Sequence, residues 1–383
     1  MDWITHSAAG AFIAWAWPRR WAVPRVAPFV VAAALLPDVD NFIAPFLDPQ
    51  SGLAHRSFTH SLSGIAVLVP LAALVALRFG NEKRFARLVA LAATGMLSHV
   101  LLDLPTPMGA MFFYPLSRQY VHLDFLGYLD WTLIILGLFV LLAAWTYANR
   151  NVAVRRGILS VVLLSSLSWW LFSEWPTQAF HFAATVEEAT EEPFRTVYPL
   201  VLGVTLLGLF VAFAQKDWGF RQSRAFFGRM GVAAFSIYLV LCMTLQGIVL
   251  SKTRQFTREQ GIVVWKRAAS RMGYSSLVGP FRWTGLVLAP EGVYQAQIVP
   301  FGAQNPTFSL FPSTTENPCI AKTRLIPEVQ RFLSAARFPV TRYRVEKGRP
   351  IVEYQEYGIS WKPLLRIEFN ERQEVLAVGW IAH

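Results

Sequence analysis

Long apolar segments separated by short polar stretches dominate the first 250 residues of the chain. Six of them approach the ~20 residues that a helix needs to cross the hydrocarbon core of a bilayer, namely Phe58 to Phe79, Phe85 to Leu104, Tyr128 to Ala148, Gly157 to Trp175, Val197 to Ala214 and Gly231 to Leu250. Two shorter apolar stretches, Ile4 to Trp17 and Val26 to Pro37, could be tilted spans, half-spans or helices buried among the others. The pattern predicts an α-helical polytopic membrane bundle of about eight helices, the first two short.

The pattern changes after Leu250. Residues 251–272 predict an amphipathic connector helix with basic residues on its polar side. Farther on, apolar and polar residues alternate in "GVYQAQIVPF", "TFSLFP", "VTRYRVEKGRPIVEYQEYG" and "LLRIEFNERQEVLAVGWIA", which predicts strands and hairpins with turns at Lys-Gly and Asn-Glu-Arg-Gln. The segment "PEVQRFLSAARF" predicts one short helix among them. Residues 273–383 should therefore form a small extramembrane α+β domain.

Composition and charge agree with a membrane protein, since 54% of the 383 residues are hydrophobic and 15% are charged. Fourteen basic residues lie in one alternate set of loops, and three lie in the other set, Arg56, Arg118 and Arg195. This bias predicts that the basic loops face the cytoplasm of a bacterial inner membrane and that the C-terminal domain lies on the periplasmic face. Because the loops and the tail account for the formal net charge of +11, the expected partner is the lipid bilayer and not nucleic acid.

Eight polar residues occur where helices of this apolar region begin or end on the predicted outer side. They are His6, Asp38, Asp40, His55, Arg56, His60, His99 and Asp103. Ionisable groups at the edge of a bilayer are costly, and where several gather they usually face one another or a water-filled cavity. We therefore expect these side chains to converge, which makes residues 1–136 a metal-site membrane domain and residues 137–250 a set of additional transmembrane helices.

The spacing of these residues supports a metal centre. His99 and Asp103 are four apart, so they share one face of a helix and can bind one ion. His55 and His60 would diverge by about 140° on one helix, which places His55 in a loop and His60 on a helix capped by Thr59 or Ser57. Asp38 and Asp40 can serve one ion or two, although either could simply end a helix. Imidazole and carboxylate together favour zinc, with manganese or iron possible.

The blocks "THSAAG", "LPDVDN", "HRSFTHS" and "SHVLLDLPTPMG" resemble the signature of the bacterial membrane-bound metal-dependent hydrolases of the YdjM/YbcI (DUF457) family, over roughly Met1 to Leu136. That family is thought to be distantly similar to zinc-dependent phospholipase C and the S1/P1 nucleases. The resemblance implies metal-ligand roles for His6, Asp38, His55 or His60, His99 and Asp103. The further His-x3-Glu pair of the phospholipases has no clear copy here, and His122, Asp124 and Asp130 are its possible replacements.

These features predict a hydrolase in which one or two zinc ions activate water against a phosphoester or lipid-linked substrate. We expect His6, Asp38, His55, His99 and Asp103 to bind metal, with Asp103 bridging or binding the ions. His60 or Asp40 would act as general base, and Arg56 would hold a phosphate or, equally, anchor a lipid headgroup. The alternatives are a metal-ion or proton transporter that uses the same cluster, and a non-catalytic scaffold with a structural ion. The protein partner of the C-terminal domain is unknown from the sequence.

Overall fold

A computed structural model describes residues 2–17, 26–42, 55–80, 82–172, 204–205, 207–271, 280–302, 305–357 and 364–381. The chain divides into two compact units, which are described separately. The first comprises residues 1–176 and 189–242, and the second comprises residues 177–188 and 243–383. The division into four regions at residues 136, 250 and 272 remains a prediction.

The first unit is helical. Its helices are α1 (Trp3–Ala16), α2 (Val26–Leu35), α3 (Leu62–Phe79), α4 (Phe85–Asp103), α5 (Trp131–Thr146), α6 (Ala153–Phe172), the single turn α7 (Trp218–Arg221) and the first part of α8 (Arg224–Glu259). Residues 207–214 are helical as well. Two short 3-10 segments, Leu36–Phe42 and Phe58–His60, adjoin α2 and α3. Where the structure describes them, the apolar segments of the sequence thus form helices, as predicted.

Three of the described helices, α3, α4 and α8, are long and apolar enough to cross a membrane. Helices α5 and α6 are long and apolar enough to cross a membrane only if they are counted together as one span, which is bent by 112°. The 14 residues of α1 and the 10 residues of α2 extend about 21 Å and 15 Å, which is shorter than a hydrocarbon core of about 30 Å. The described part of the chain therefore has three or four candidate spans, and the bundle of about eight helices remains a prediction. The span predicted at Val197–Ala214 lies partly outside the described residues.

Helices α1, α2 and α4 pack closely through small residues. A Cβ atom built on Gly95 of α4 would lie 2.7 Å from the carbonyl oxygen of Val30 in α2, and one built on Gly10 of α1 would lie 3.1 Å from the Cβ of Ala34. Val30 and Ala34 are fully buried at these contacts. Small residues let helix backbones approach closely where lipid supplies no hydrophobic driving force. This packing brings the C-terminal end of α2 against the C-terminal half of α4.

The second unit contains two antiparallel sheets of four strands each, in the order of the sequence. The first sheet is formed by β1 (Lys266–Ser270), β2 (Trp283–Ala289), β3 (Gly292–Ile298) and β4 (Ser309–Pro312), and the second by β5 (Pro339–Glu346), β6 (Arg349–Glu356), β7 (Leu364–Phe369) and β8 (Val375–Ile381). Two helices lie between them in sequence, α9 (Pro318–Thr323) and α10 (Pro327–Ala335). A helical region followed by a C-terminal sheet domain is thus confirmed.

The turn between β5 and β6 shows why the strand prediction succeeded there. Lys347 and Gly348 have φ values of 52° and 80°, which is the left-handed conformation that a two-residue hairpin turn requires. The predicted short helix is α10. Strands β1 and β2 and helix α9 were missed, because nearly every residue of β2 is buried, so that polar and apolar residues do not alternate, and the other two elements are short.

The predicted connector helix of residues 251–272 is found only as far as Glu259, and residues 266–270 form strand β1 instead. Gly261 has a φ of 63°, and the Ile262 N–H donates to the Thr257 carbonyl. A left-handed residue with a backward hydrogen bond is a usual way to end a helix. The spacing of the basic residues predicted a longer helix, but the helix ends at Glu259 because Gly261 adopts the left-handed conformation.

Candidate metal centre

The two aspartates of the centre come from the 3-10 segment that follows α2. Pro37 has no N–H to continue an α-helical hydrogen-bond pattern, and the chain tightens into the segment Leu36–Phe42. Asp38 and Asp40 are 4% and 3% exposed, whereas Val39 between them is 44% exposed. Both carboxylates therefore point into the protein. The alternative that these aspartates merely end a helix leaves their burial unexplained.

The second pair lies on the last turns of α4. His99 and Asp103 are fully buried on the same face of the helix, as the spacing predicted. The Nδ1 atom of His99 lies 2.6 Å from the carbonyl oxygen of Ala34. Because a carbonyl only accepts, Nδ1 carries the proton and Nε2 keeps its lone pair for a cation.

His60 completes the group. It lies in the 3-10 segment Phe58–His60, and α3 begins after it, capped by the Ser61 hydroxyl, which accepts from the Gly64 N–H. The prediction that Thr59 or Ser57 caps a helix containing His60 is therefore wrong. The Thr59 hydroxyl instead donates to Asp40. The Nδ1 atom of His60 lies 3.3 Å from Asp40 Oδ2, which leaves Nε2 directed at the other side chains.

Four atoms meet at this point, and their spacing suits a tetrahedral ion. The Nε2 atom of His60 lies 3.1 Å from Nε2 of His99, 3.2 Å from Asp103 Oδ2 and 3.5 Å from Asp38 Oδ1. His99 Nε2 lies 3.4 Å from the same oxygen of Asp103 and 3.5 Å from that of Asp38. Metal–ligand bonds of about 2.0–2.1 Å in a tetrahedron place neighbouring ligand atoms about 3.3 Å apart. These five separations are compatible with that geometry.

A second group of possible ligands shares Asp38 with the first. Asp38, Asp40 and His55 offer ligand atoms that all lie within 4.8 Å of one another. The Nδ1 atom of His55 lies 2.7 Å from Asp40 Oδ1, and the His55 side chain is 25% exposed. Because Asp38 belongs to both groups, it is better placed than Asp103 to bridge two ions. Among the possible ligands of the two groups, His55 is the one most exposed to solvent.

His6 lies beside the four-atom group and not within it. Its ring stacks on that of His99 with a centroid separation of 3.7 Å, and its Nε2 lies 3.5 Å from Oδ1 of Asp103. Neither ring nitrogen has a hydrogen-bond partner among the described residues, although the side chain is fully buried. A buried imidazole without partners is costly, so an ion or water at this position would stabilise it. The ligand role of His6 remains a prediction.

Among the described residues, Arg56 is the one arginine or lysine buried beside the cluster. Its guanidinium donates to Asp103 Oδ1 at 3.1 Å, to the Thr106 hydroxyl at 2.9 Å and to the Gly109 carbonyl at 3.1 Å. Its backbone has a φ of 64° and its N–H donates to Asp40 Oδ2. Because both Nη atoms of the guanidinium have protein acceptors and the side chain is 2% exposed, Arg56 orients Asp103 and balances its charge. The predicted role of this group as a phosphate or headgroup anchor remains a prediction.

The electrostatics keep both aspartates of the 3-10 segment ionised. Burial favours the neutral form of Asp38, but hydrogen bonds with His60 and His99 outweigh it and hold the pKa of this carboxyl below its usual range. Burial acts on Asp40 in the same direction, and hydrogen bonds with His55, His60 and Thr59 again lower the pKa of the Asp40 carboxyl. Two buried carboxylates with imidazole partners form a site that attracts a cation.

The sequence did not reveal several residues that hold the centre in place. Thr106 accepts from Arg56 and donates to the Asp103 carbonyl, and the Ala34 carbonyl fixes His99. Thr106 could have been suspected from its position in "DLPTPMG", but a backbone carbonyl leaves no signal in a sequence. Asp130, a suggested third-metal residue, caps α5 through the Leu133 N–H and accepts from the Tyr238 hydroxyl.

Together, the apolar helices and the buried cluster define a helical membrane protein with a His/Asp centre that could hold a metal ion. Residues 1–186, just under half of the chain, match the family described as YdjM inner membrane protein, so this region is similar to that family. The match extends past Leu136, where the resemblance seen in the sequence ended. No curated protein and no solved structure matches the chain, so the distant similarity to phospholipase C and the nucleases remains a prediction.

Proposed function

We propose that this protein is an integral inner-membrane, metal-dependent hydrolase that acts on phosphoester or lipid-linked substrates. The observation that carries the proposal is the four-atom group of His60, His99, Asp38 and Asp103, whose separations of 3.1–3.5 Å suit one tetrahedral ion. Two imidazoles and two carboxylates favour zinc over calcium or magnesium, with manganese or iron as substitutes. A bound ion would supply a water of lowered pKa and polarise the scissile bond.

His60 is proposed here as a ligand and no longer as the general base, because its Nε2 atom belongs to the four-atom group. The base is then the pair of His55 and Asp40. The Asp40 carboxylate holds Nδ1 of His55 at 2.7 Å, and the half-buried ring keeps contact with the exterior. This contact orients the imidazole, which places His55 to take a proton from a water at the centre and pass it outward.

The number of bound ions determines whether His55 and Asp40 transfer protons or bind metal. With one ion, His55 and Asp40 are free for proton transfer. With two ions, Asp38, Asp40 and His55 would hold the second, and Asp38 would serve both. Elemental analysis of the detergent-purified protein distinguishes these cases before any substrate is known.

The proposed location of the centre at the periplasmic face follows from the loop charges, since basic residues concentrate in one alternate set of loops. A site at the boundary of the membrane and the periplasm would meet lipid and lipid-linked phosphoesters. Labelling of an introduced cysteine at Val39, which is 44% exposed beside the two aspartates, tests this orientation. A reagent that does not cross the inner membrane should label it in spheroplasts, and protection there would place the site in the cytoplasm.

The proposed function is tested by His99→Ala and Asp103→Ala in the full chain. Both variants should lose the tightly bound metal and the hydrolysis of chromogenic phosphodiesters, while they still insert into the membrane. His122→Ala is the matched control, because His122 belongs to neither group of possible ligands, and it should retain the metal. Normal metal content in both His99→Ala and Asp103→Ala would refute the assignment.

The burial of the four-atom group favours one second candidate, a structural ion in a non-catalytic membrane scaffold. The side chains of His60, His99 and Asp103 are fully buried and that of Asp38 is 5% exposed, and structural metal sites are closed whereas catalytic ones keep an open position. A structural ion predicts that His55→Ala leaves metal content unchanged and that no phosphodiester is hydrolysed. The hydrolase predicts that the same variant loses its activity.

A further inference from the structure

The exposed residues of α8 change from mainly apolar to polar near Ser251. No charged residue occurs between Arg229 and Lys252, a length of about 33 Å along a helix, and the exposed residues before the change include Ile237, Val240 and Met243. The exposed residues after it are polar, namely Ser251, Arg254, Gln255, Arg258 and Glu259. Because the uncharged length matches a hydrocarbon core of about 30 Å, the change places the membrane surface near Ser251 and Lys252.

The first sheet of the second unit packs against α8 at this level. The Gln246 side chain donates to the carbonyl of Ala269 in β1 at 3.1 Å. One turn past the change, the ring of Phe256 stacks on that of Phe308 at 4.0 Å. Contacts on both sides of residue 251 therefore hold residues 246–256 of the helix, which belong to the second unit, against this sheet. The edge of the sheet nearest Lys252 therefore lies at the membrane surface.

The turn that follows β3 lies at that edge. It consists of Val299, Pro300, Phe301 and Gly302, and we refer to it as the 299–302 turn. The Lys252 ammonium donates to the carbonyls of Val299 at 3.1 Å and of Gly302 at 2.8 Å. Phe301 is 70% exposed and Val299 is 48% exposed. The turn therefore exposes two large apolar side chains and carries no charged residue. It contacts α8 at Lys252, the residue after Ser251.

We propose that the 299–302 turn inserts into the lipid–water interface and anchors the C-terminal domain to the membrane that α8 crosses. Exposed phenylalanine and valine gain free energy when they leave water for the acyl boundary. A turn in that region needs partners for its backbone carbonyls, because lipid supplies none. Lys252 donates to two of these carbonyls, and its ammonium lies where lysine side chains usually reach from the end of a span. The inserted turn therefore exposes apolar side chains to the lipid, while two of its backbone carbonyls accept hydrogen bonds from Lys252.

The test uses the full-length protein in vesicles of phosphatidylcholine and phosphatidylglycerol, with an environment-sensitive fluorophore on Phe301→Cys. Cys242 and Cys319 are 0% and 2% exposed, so the introduced thiol is the accessible target, and unsubstituted protein measures the background. The matched control is Glu291→Cys, which lies before β3, about 23 Å from the turn along the strand. The label at residue 301 should show blue-shifted emission, quenching by brominated lipid and protection from iodide. The label at residue 291 should show the opposite.

A second labelling site makes the result independent of one substitution. Val299→Cys should behave as Phe301→Cys does, because both side chains project from the same turn. Emission typical of water and full quenching by iodide at both positions, equal to that at residue 291, would overturn the proposal. Quenching by brominated lipid at all three positions would overturn it as well, because the 299–302 turn would then not be the point of insertion.

Discussion

Replacement of Gly95 by alanine should disturb the metal centre without touching any ligand. The added Cβ would lie 2.7 Å from the carbonyl oxygen of Val30, 2.9 Å from the Cβ of Ala33 and 3.0 Å from the backbone nitrogen of Ala34. Because two of these are backbone atoms of α2, no side chain can rotate away to make room. An ordinary contact begins at 3.4 Å, so α2 and α4 must separate locally by roughly 0.7 Å.

The separation reaches the centre through His99, one turn beyond Gly95. Its Nδ1 atom lies 2.6 Å from the Ala34 carbonyl, and a shift of this size would weaken that hydrogen bond. Asp38, which follows α2 directly, would move with it relative to His99. Overpacking of a core contact costs about 1–3 kcal/mol, and loss of the hydrogen bond that orients a ligand typically lowers metal affinity about 10–100-fold.

Zinc affinity is measured by competition with a chromophoric chelator in detergent, and stability by the midpoint of thermal unfolding. Gly247→Ala in α8 is the control, because a Cβ there has nothing within 4 Å. Alanine favours a helix over glycine by about 1 kcal/mol, so the control should be neutral or slightly stabilising. If Gly95→Ala binds zinc as tightly as the unsubstituted protein and unfolds at the same temperature as Gly247→Ala, the close approach of α2 and α4 does not position the centre.

Four further predictions concern other parts of the structure. Arg56→Met should lower stability by about 3–5 kcal/mol, because it leaves a buried carboxylate without its cation, and an unchanged unfolding temperature would contradict this. Ser61→Ala should cost about 1 kcal/mol through loss of the α3 cap, again measured by thermal unfolding and compared with Ser251→Ala at an exposed position. In the C-terminal domain, Glu356→Ala should cost about 3 kcal/mol because this carboxylate accepts from the backbone N–H groups of two residues, whereas the exposed Glu328→Ala should stay within about 0.5 kcal/mol. Removal of the ion by a chelator should lower the unfolding temperature and zinc should restore it; an unfolding temperature unaffected by chelator would argue that no ion binds the native state.

Local patterns allowed much of the architecture to be predicted. The continuous apolar segments located α1 to α4, and the alternation of residues 340–358 located β5, β6 and the turn at Lys347 and Gly348. The spacing of His99 and Asp103 was enough to place both on one helix face. These features depend on residues close together in the chain, for which helix and strand geometry sets the positions of the side chains.

The roles within the cluster could not be obtained in this way. His55 and His60 look equivalent in the sequence, yet Nε2 of His60 lies 3.1 Å from His99 while His55 is partly exposed beside Asp40. Arg56 seemed suited to a phosphate, but the loop after α4 supplies Thr106 and Gly109 as its acceptors. Each difference arises from contacts between residues about 15 to 53 positions apart.

Residue types and short-range spacing were thus sufficient to indicate an apolar helical chain with a C-terminal sheet domain and a set of metal-ligating side chains, because propensity and periodicity act over a few residues. The packing of α2 on α4 at Gly95 decides which of those side chains come within 3.5 Å of one another. Similarly, the hydrogen bonds from Lys252 to the 299–302 turn bring two exposed apolar residues to the end of a candidate span. Such distances depend on how whole helices and sheets fit together, which no local pattern records.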